Sequence, residues 1–427
     1  LFSGTWIPIS ERSAEMHIVI ANQWYPPESG WGGVAMYNHA IAHAYRKLGH
    51  EVTIIARRND ETTPAYAEVD GIHVHRLLTR DRYYLRRAPG VRYYSRTAQQ
   101  LSYSWRVRQA LKQLNRTQPI DIVEFAEINA EGYFFARSPW LPFVVRCHTP
   151  TFVLRDFFQP DEFLFDTKII SACEKKTIQT AHAVTAPSGD MAQRIAQASG
   201  IDSANITVVP NPLNAHGVNG NGNGHHSAGT ENDLTVLYIG RIERAKGILV
   251  LAKAIPEIIK RIPRIRFLIA GYDRSTPRGT SQRAELEQQF ANAGATANVE
   301  FVGAVEQSQL RSLYERADLC VVPALQYESF SYTCAQAMAA GKPVIATRIG
   351  GMPETVADGV AGLIVEPENA GELAEAILRL AKDPDLCVRM GRAGHEKVLR
   401  EYDPSKVAQQ NLEVYAQARQ RFESGSA

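Results

Sequence analysis

The chain has 427 residues, 44% hydrophobic and 22% charged, with a formal net charge of +2 at pH 7. That length exceeds one ordinary core and suits two domains of roughly 150–200 residues each. The composition is that of a globular protein, and the near-neutral balance excludes a strongly charged partner for the molecule as a whole, so any electrostatic recognition must come from local patches.

The first 15 residues, LFSGTWIPISERSAE, lack the basic start and unbroken apolar stretch of a signal peptide and are read as an extension of unassigned role. Met16–Ala21 (MHIVIA) is a short apolar run, read as a buried strand. A Gly/Pro-rich loop follows, then a helix with apolar positions at Val34, Tyr37, Ile41, Ala44 and Leu48, ended by Gly49. EVTIIA is the next strand, and strand–loop–helix–strand in units of about 30 residues is the mark of a parallel sheet. IDIVEF, PFVVRCH, AVTAPS and ITVVPN continue the pattern.

Residues 215–233 are Gly/Asn-rich without apolar periodicity and read as a flexible linker, in which His225 and His226 are solvated. LTVLYI restarts the rhythm, with RFLIAG, VEFVG, DLCVVP, KPVIAT and GLIVEP after it. The expected organisation is therefore an extension at 1–15 and Rossmann-like domains at 16–214 and 234–395. A C-terminal helix, 396–427, follows, and the sequence alone leaves open whether it crosses back to the first domain. Cys147, Cys173, Cys320, Cys334 and Cys387 form no C-x-x-C pair and read as buried reduced thiols, which fits a cytoplasmic location. No run reaches the roughly 18 apolar residues of a membrane span.

The second half carries the chemistry. In YIGRIERAKGI a strand ends at Ile239, Gly240 permits a tight turn, and Arg241 and Lys246 lie in the loop before a helix. Guanidinium and ammonium groups at strand ends suit a diphosphate leaving group, and a solvated basic loop is the competing reading. In DLCVVPALQYESFSYTCAQAMAAGKPVIAT a strand ends at Pro323, a loop carries Glu328 and Ser329, and a helix is expected to begin near Phe330. The amides of Phe330, Ser331 and Tyr332 would then face an anion, with Glu328 set to accept from sugar hydroxyls and Gln336 on the same helix.

Taken in order, the motifs GWGGV (30–34), RCHTP (146–150), APS (186–188), VVPNP (208–212), GRIERAKG (240–247), ESF (328–330), AMAAGKPVIAT (337–347) and GGMPE (350–354) resemble those of glycosyltransferase family 4. These are retaining enzymes of the GT-B fold, an α/β architecture of two Rossmann-like doubly wound domains facing across a cleft. The resemblance covers nearly everything from Met16 onward. It implies that Arg241 and Lys246 hold the diphosphate, that Glu328 and His148 face the donor sugar, and that Phe330 and Ser331 present phosphate-binding amides. Gly32 and Gly33 match its Gly-rich loop. The family's second glutamate, a ribose ligand, is Gln336 here. An amide keeps the geometry but loses charge assistance, an expected loss of roughly 1–2 kcal/mol.

Asp383-Pro-Asp385 has the form of a metal–diphosphate motif but sits between helical stretches and reads as a capping turn. No other carboxylate or His/Cys cluster shows metal spacing, so the expectation is transfer with no metal and no cofactor, the nucleotide sugar being a substrate. Between Arg76 and Arg116 lie eleven Arg/Lys and one acid, Asp81, with Tyr83, Tyr84, Tyr93, Tyr94, Tyr103 and Trp105 interleaved. A solvated helix face, contact with anionic headgroups at the inner face of the membrane, and an acceptor site for a glycan or lipid-linked glycan all fit this stretch. No nucleic-acid motif accompanies it.

The expected activity is transfer of a hexosyl unit from a nucleoside diphosphate sugar to a hydroxyl acceptor, in polysaccharide or glycolipid synthesis. A GT-B nucleotide-sugar epimerase and a catalytically silent sugar-nucleotide-binding subunit are the alternatives. They differ in needing no acceptor and in releasing no nucleotide, respectively.

Overall fold

The computed structural model describes residues 15–58, 60–79, 94–154, 164–215, 234–273 and 279–425. Residues 1–14 of the extension, the 215–233 linker beyond residue 215, and the middle of the Arg76–Arg116 stretch lie outside them.

The first domain is an eight-stranded sheet in the order β3-β4-β2-β1-β5-β6-β7-β8. Its strands are β1 (His17–Ala21), β2 (Glu51–Arg58), β3 (Tyr66–Val69), β4 (Ile72–Leu78), β5 (Ile122–Ala126), β6 (Phe143–Arg146), β7 (Ala183–Ala186) and β8 (Ile206–Val208). All neighbours are parallel except β3 and β4, an antiparallel hairpin at the edge. β1, β5, β6 and β7 are buried along their whole length, as a sheet covered on both faces requires.

The second domain has a six-stranded parallel sheet in the order β11-β10-β9-β12-β13-β14. Its strands are β9 (Thr235–Ile239), β10 (Arg266–Ala270), β11 (Val299–Gly303), β12 (Leu319–Val322), β13 (Val344–Thr347) and β14 (Gly362–Val365). The chain winds outward from β9 in one direction and then from β12 in the other. In such a sheet, ligands sit in the crevice above the carboxyl ends where the winding reverses. The reversal lies between β9 and β12, which are hydrogen-bonded neighbours. The loop with Arg241 and Lys246 and the loop with Glu328 leave from those two ends.

Helix Pro384–Glu401 stays on the second domain, where Gly391 packs so tightly on the Gly341 carbonyl that an added Cβ would stand 2.0 Å from it. The chain breaks at Tyr402–Asp403, and Asp403 caps a separate helix, Pro404–Glu423. The C-terminal part read as one helix from 396 is thus two, because Pro404 starts a new helix at its first position. That last helix packs on the first domain: Val407, Val414 and Tyr415 share a core with Ile18, Ile20 and Tyr37. Its Tyr415 hydroxyl donates to Glu124 at 2.6 Å, and Asn411 donates to the Tyr37 hydroxyl at 3.2 Å.

All five cysteines are free and buried. Asp383 accepts from the Leu386 amide at 2.8 Å, a cap for the helix that follows. Among the described residues no helix is long and apolar enough to cross a membrane.

Candidate active site

The turn after β9 is built to present two cations. The Tyr238 hydroxyl donates to the Arg241 carbonyl at 2.9 Å and fixes its curl. A short turn, Arg244–Lys246, then leads into Gly247, whose φ of 74° opens helix Ile248–Arg261. A Cβ on Gly247 would lie 1.6 Å from the Pro323 carbonyl oxygen, so no other residue lets the end of β12 approach so closely. The Ala245 carbonyl accepts from both Leu325 and Gln326, tying the two loops together. Lys246 is thereby brought to Glu328, with which it forms an ion pair, while Arg241 pairs with Glu243 at 2.7 Å.

The Glu328 loop is held from behind. The Gly351 amide donates to the Glu328 carbonyl at 2.8 Å, and a Cβ at Gly351 would meet the Ser329 carbonyl at 2.2 Å. This is the physical content of the GGMPE motif. Helix Tyr332–Ala339 starts at Tyr332, two positions later than read from the sequence, because Ser331 is its cap and accepts from the Cys334 amide. The amides left for an anion are those of Tyr332 and Thr333, with those of Phe330 and Ser331 just ahead of the helix.

These loops form one wall of a cleft of about 1120 Å³. Arg241, Lys246, Glu328, Phe330, Ser331, Tyr332 and Gln336 line it from the second domain, and Gly30–Gly33 line it from the first. Gly33 meets Tyr332 across the gap, where a Cβ would make ordinary contact at 3.6 Å. Gln336 is buried, and its carbonyl oxygen accepts from the Tyr314 hydroxyl at 3.4 Å.

Two expected site residues stand back from the lining. Ser329 is buried and accepts from Thr149 at 3.3 Å, a bond that joins the domains. His148 is also buried; its amide donates to Glu127 at 2.8 Å, its ring packs edge-on against Tyr37 at 5.0 Å, and its Nε2 has no hydrogen-bond partner. Burial, and then the neighbouring Arg146, hold its pKa well below the usual value, so the imidazole is neutral at pH 7. Arg146 is itself fully buried, donating to the Val209 carbonyl and to Asn211 and lying over the Tyr37 ring. The VVPNP motif therefore works as the anchor of Arg146. Burial raises Glu127 to about 8 and Glu174 to about 7, so the carboxyl beneath His148 is largely protonated at neutral pH.

Sequence reasoning gave no role to Glu354. Its carboxylate accepts from the Gly189 and Asp190 amides at 2.8 and 2.9 Å, capping a helix of the opposite domain. Tyr327 donates to Asp190, and Arg194 lies over the Tyr327 ring at 5.0 Å, so the back of the cleft is latched. The spacing expectation for metals also needs correction. His39, His43 and Asp70 bring ligand atoms within 4.8 Å of one another. The two histidines are one helical turn apart, and the third group arrives from the β3–β4 hairpin, which the sequence reading did not include.

Residues 32–212 match the glycosyl transferase 4-like domain, and residues 225–397 match the glycosyl transferases group 1. The chain belongs to this glycosyltransferase family. It is 24% identical over 414 residues to an uncharacterized glycosyltransferase of Methanocaldococcus jannaschii, covering 94% of this chain and 98% of that protein. The sucrose-phosphate synthase of Thermosynechococcus elongatus superposes with a TM-score of 0.76 at 24% identity, over 96% of this chain and 100% of that one. HepE of Anabaena in complex with UDP-glucose superposes with a TM-score of 0.68 at 20% identity, over 94% and 100%. The fold of this glycosyltransferase is accordingly GT-B, two parallel-sheet α/β domains.

Proposed function

We propose that this glycosyltransferase moves a hexosyl unit from a nucleoside diphosphate sugar to a hydroxyl acceptor, with retention of anomeric configuration and without a metal ion. The observation that carries the reading is the convergence of Arg241, Lys246 and the start of helix Tyr332–Ala339 where the second sheet reverses, facing Gly30–Gly33. The complexes of HepE with UDP and UDP-glucose support a nucleotide-sugar donor.

In the proposed step the bond from the anomeric carbon to the leaving phosphate oxygen breaks, and the acceptor hydroxyl attacks from the same face. The departing phosphate takes the acceptor proton. Negative charge grows on the diphosphate, and Arg241, Lys246 and the Tyr332 and Thr333 amides stabilise it where it develops, the role a metal ion fills elsewhere. Glu243 and Glu328 temper these cations in the cleft, so the diphosphate exchanges places with carboxylates. Glu328 and His148 orient the sugar, with His148 as a neutral donor or acceptor.

The acceptor class we favour is a glycan or lipid-linked glycan at the cytoplasmic membrane face. Trp105 is exposed, and Arg108 and Lys112 lie over Trp140 on the neighbouring surface, a basic aromatic patch that suits headgroups. Arg76 does not share in it, being buried against Glu28 at 2.7 Å. Gln336 favours one second reading, a subunit that binds donor without transferring it.

The test is thermal unfolding with UDP, GDP, ADP and dTDP, followed by nucleotide release with and without acceptor. A ligand at a hundred times its dissociation constant stabilises by about 2.7 kcal/mol, several degrees in Tm. A shift with one nucleotide and acceptor-dependent release of it supports transfer. A shift without release supports the silent subunit, and no shift with any nucleotide refutes the donor site.

A further inference from the structure

The group at His39, His43 and Asp70 lies on the first domain beside the cleft. His39 and His43 are on helix α1 (Gly33–Lys47), spaced so that their rings share one face, with centroids 4.2 Å apart. The Asp70 carboxylate stands 3.9 Å from the Nε2 of each. Asp70 occupies the turn of the β3–β4 hairpin at a φ of 50°, a conformation that Asp tolerates better than most residues. Arg46 fixes that turn to α1 by donating to the Asp70 carbonyl at 2.9 Å. The carboxylate is thus delivered to the histidines by a tie independent of them.

The protonation pattern is informative. His43 Nδ1 lies 2.8 Å from the His39 carbonyl oxygen, which only accepts, so Nδ1 carries the hydrogen. In the neutral ring Nε2 is then a bare lone pair facing a carboxylate and a second imidazole. The ligand atoms of His39, His43 and Asp70 all lie within 4.8 Å of one another, so three donors converge on one point that a cation can reach. A ring nitrogen held by a backbone carbonyl while the other points at a shared centre is how proteins orient histidine ligands for metals.

We propose that His39, His43 and Asp70 form a site for a divalent cation of the zinc class, separate from the sugar-transfer machinery. Two imidazole nitrogens and one carboxylate oxygen are three ligands of the types zinc takes, leaving a position for water. Small side-chain rotations bring the 3.9 Å separations to those of a tetrahedral centre. The side chains are 29%, 33% and 69% exposed, so an ion enters from solvent without unfolding. The His39 ring also packs edge-on to Trp31 at 5.1 Å, and Trp31 lines the cleft. An ion there braces α1, the hairpin and the Gly-rich loop as one unit.

The experiment is isothermal titration of the full chain with Zn²⁺ at pH 7.5, free of any affinity tag, against His43→Ala and the conservative Asp70→Asn. Unchanged far-UV dichroism and Tm in the ion-free state establish that each variant is folded. The expectation is one saturable site in the wild type. His43→Ala should weaken it by more than the roughly 10- to 100-fold that loss of an outer-shell partner produces, and Asp70→Asn should weaken it measurably. Absence of saturable binding up to millimolar Zn²⁺ overturns the proposal, as does binding of equal affinity and stoichiometry in the wild type and both variants.

Discussion

Glu354 joins the two domains by a contact whose strength can be worked out. Its carboxylate takes both the Gly189 and Asp190 amides at the first turn of helix Gly189–Ser199. Glu354→Gln retains one carbonyl acceptor, turns an amino group toward the other N–H, and removes a negative charge from the positive end of the helix. The contact is solvent-exposed. A charge at a helix start contributes about 0.3–1 kcal/mol there, and the lost hydrogen bond adds about 0.5–1.5 kcal/mol. A total of about 1–2 kcal/mol changes the ratio of closed to open molecules by roughly 5- to 30-fold. Tyr327–Asp190 and Thr149–Ser329 remain, so the domains should loosen rather than part. Small-angle X-ray scattering of the free protein should show a larger radius of gyration in the variant, and saturating nucleotide should restore the wild-type value. If the free variant scatters as the wild type does, the two amide bonds do not hold the domains together.

Arg241→Ala and Lys246→Ala should each reduce turnover by about 10²–10³, the loss seen when a donor to developing charge is removed; steady-state kinetics with full activity in both would refute their role. Gln336→Glu should tighten nucleotide binding by about tenfold, since Tyr314 donates equally well to a carboxylate, and calorimetry reads the change. Gly247→Ala should destabilise the second domain by about 3 kcal/mol or more in denaturant titration, because its Cβ would overlap the Pro323 carbonyl. Glu127 has a folded pKa of about 8 against an ordinary 4.5, so it keeps a proton that the unfolded chain releases. Its contribution to stability is complete below about 4.5 and is lost as pH rises through about 8. Glu127→Gln should therefore flatten the fall of Tm between pH 5 and pH 8, and an unchanged slope would refute the assignment.

Much of this was legible because apolar runs and Gly-rich turns are local. Twelve of the fourteen strands among the described residues can be read as short apolar segments, and Arg241, Lys246 and Glu328 announce themselves as charges at strand ends. The two strands not read, β3 and β4, alternate polar and apolar at an edge; their Asp70-Gly71 turn was the signal. Their absence hid the third member of the His39 cluster. The Arg76–Arg116 charges look alike in sequence, yet Arg76 is buried against Glu28 while Arg108 lies over the exposed Trp105 ring, a distinction made only by packing. Glu354 was visible within GGMPE, but its partner amides are more than 160 residues away.

The return of helix Pro404–Glu423 to the first domain has a consequence for biosynthesis. The bond between Tyr415 and Glu124 spans 291 residues, and that between Asn411 and Tyr37 spans 374. On a ribosome, the second domain can finish its sheet while the first still lacks one of its covering helices. Until residue 418 emerges, the core around Ile18, Ile20 and Tyr37 lacks the share of its packing that Val407, Val414 and Tyr415 supply. The half of the protein made first is therefore the half completed last, and a nascent chain halted short of its final helix offers quality-control factors an exposed core to seize.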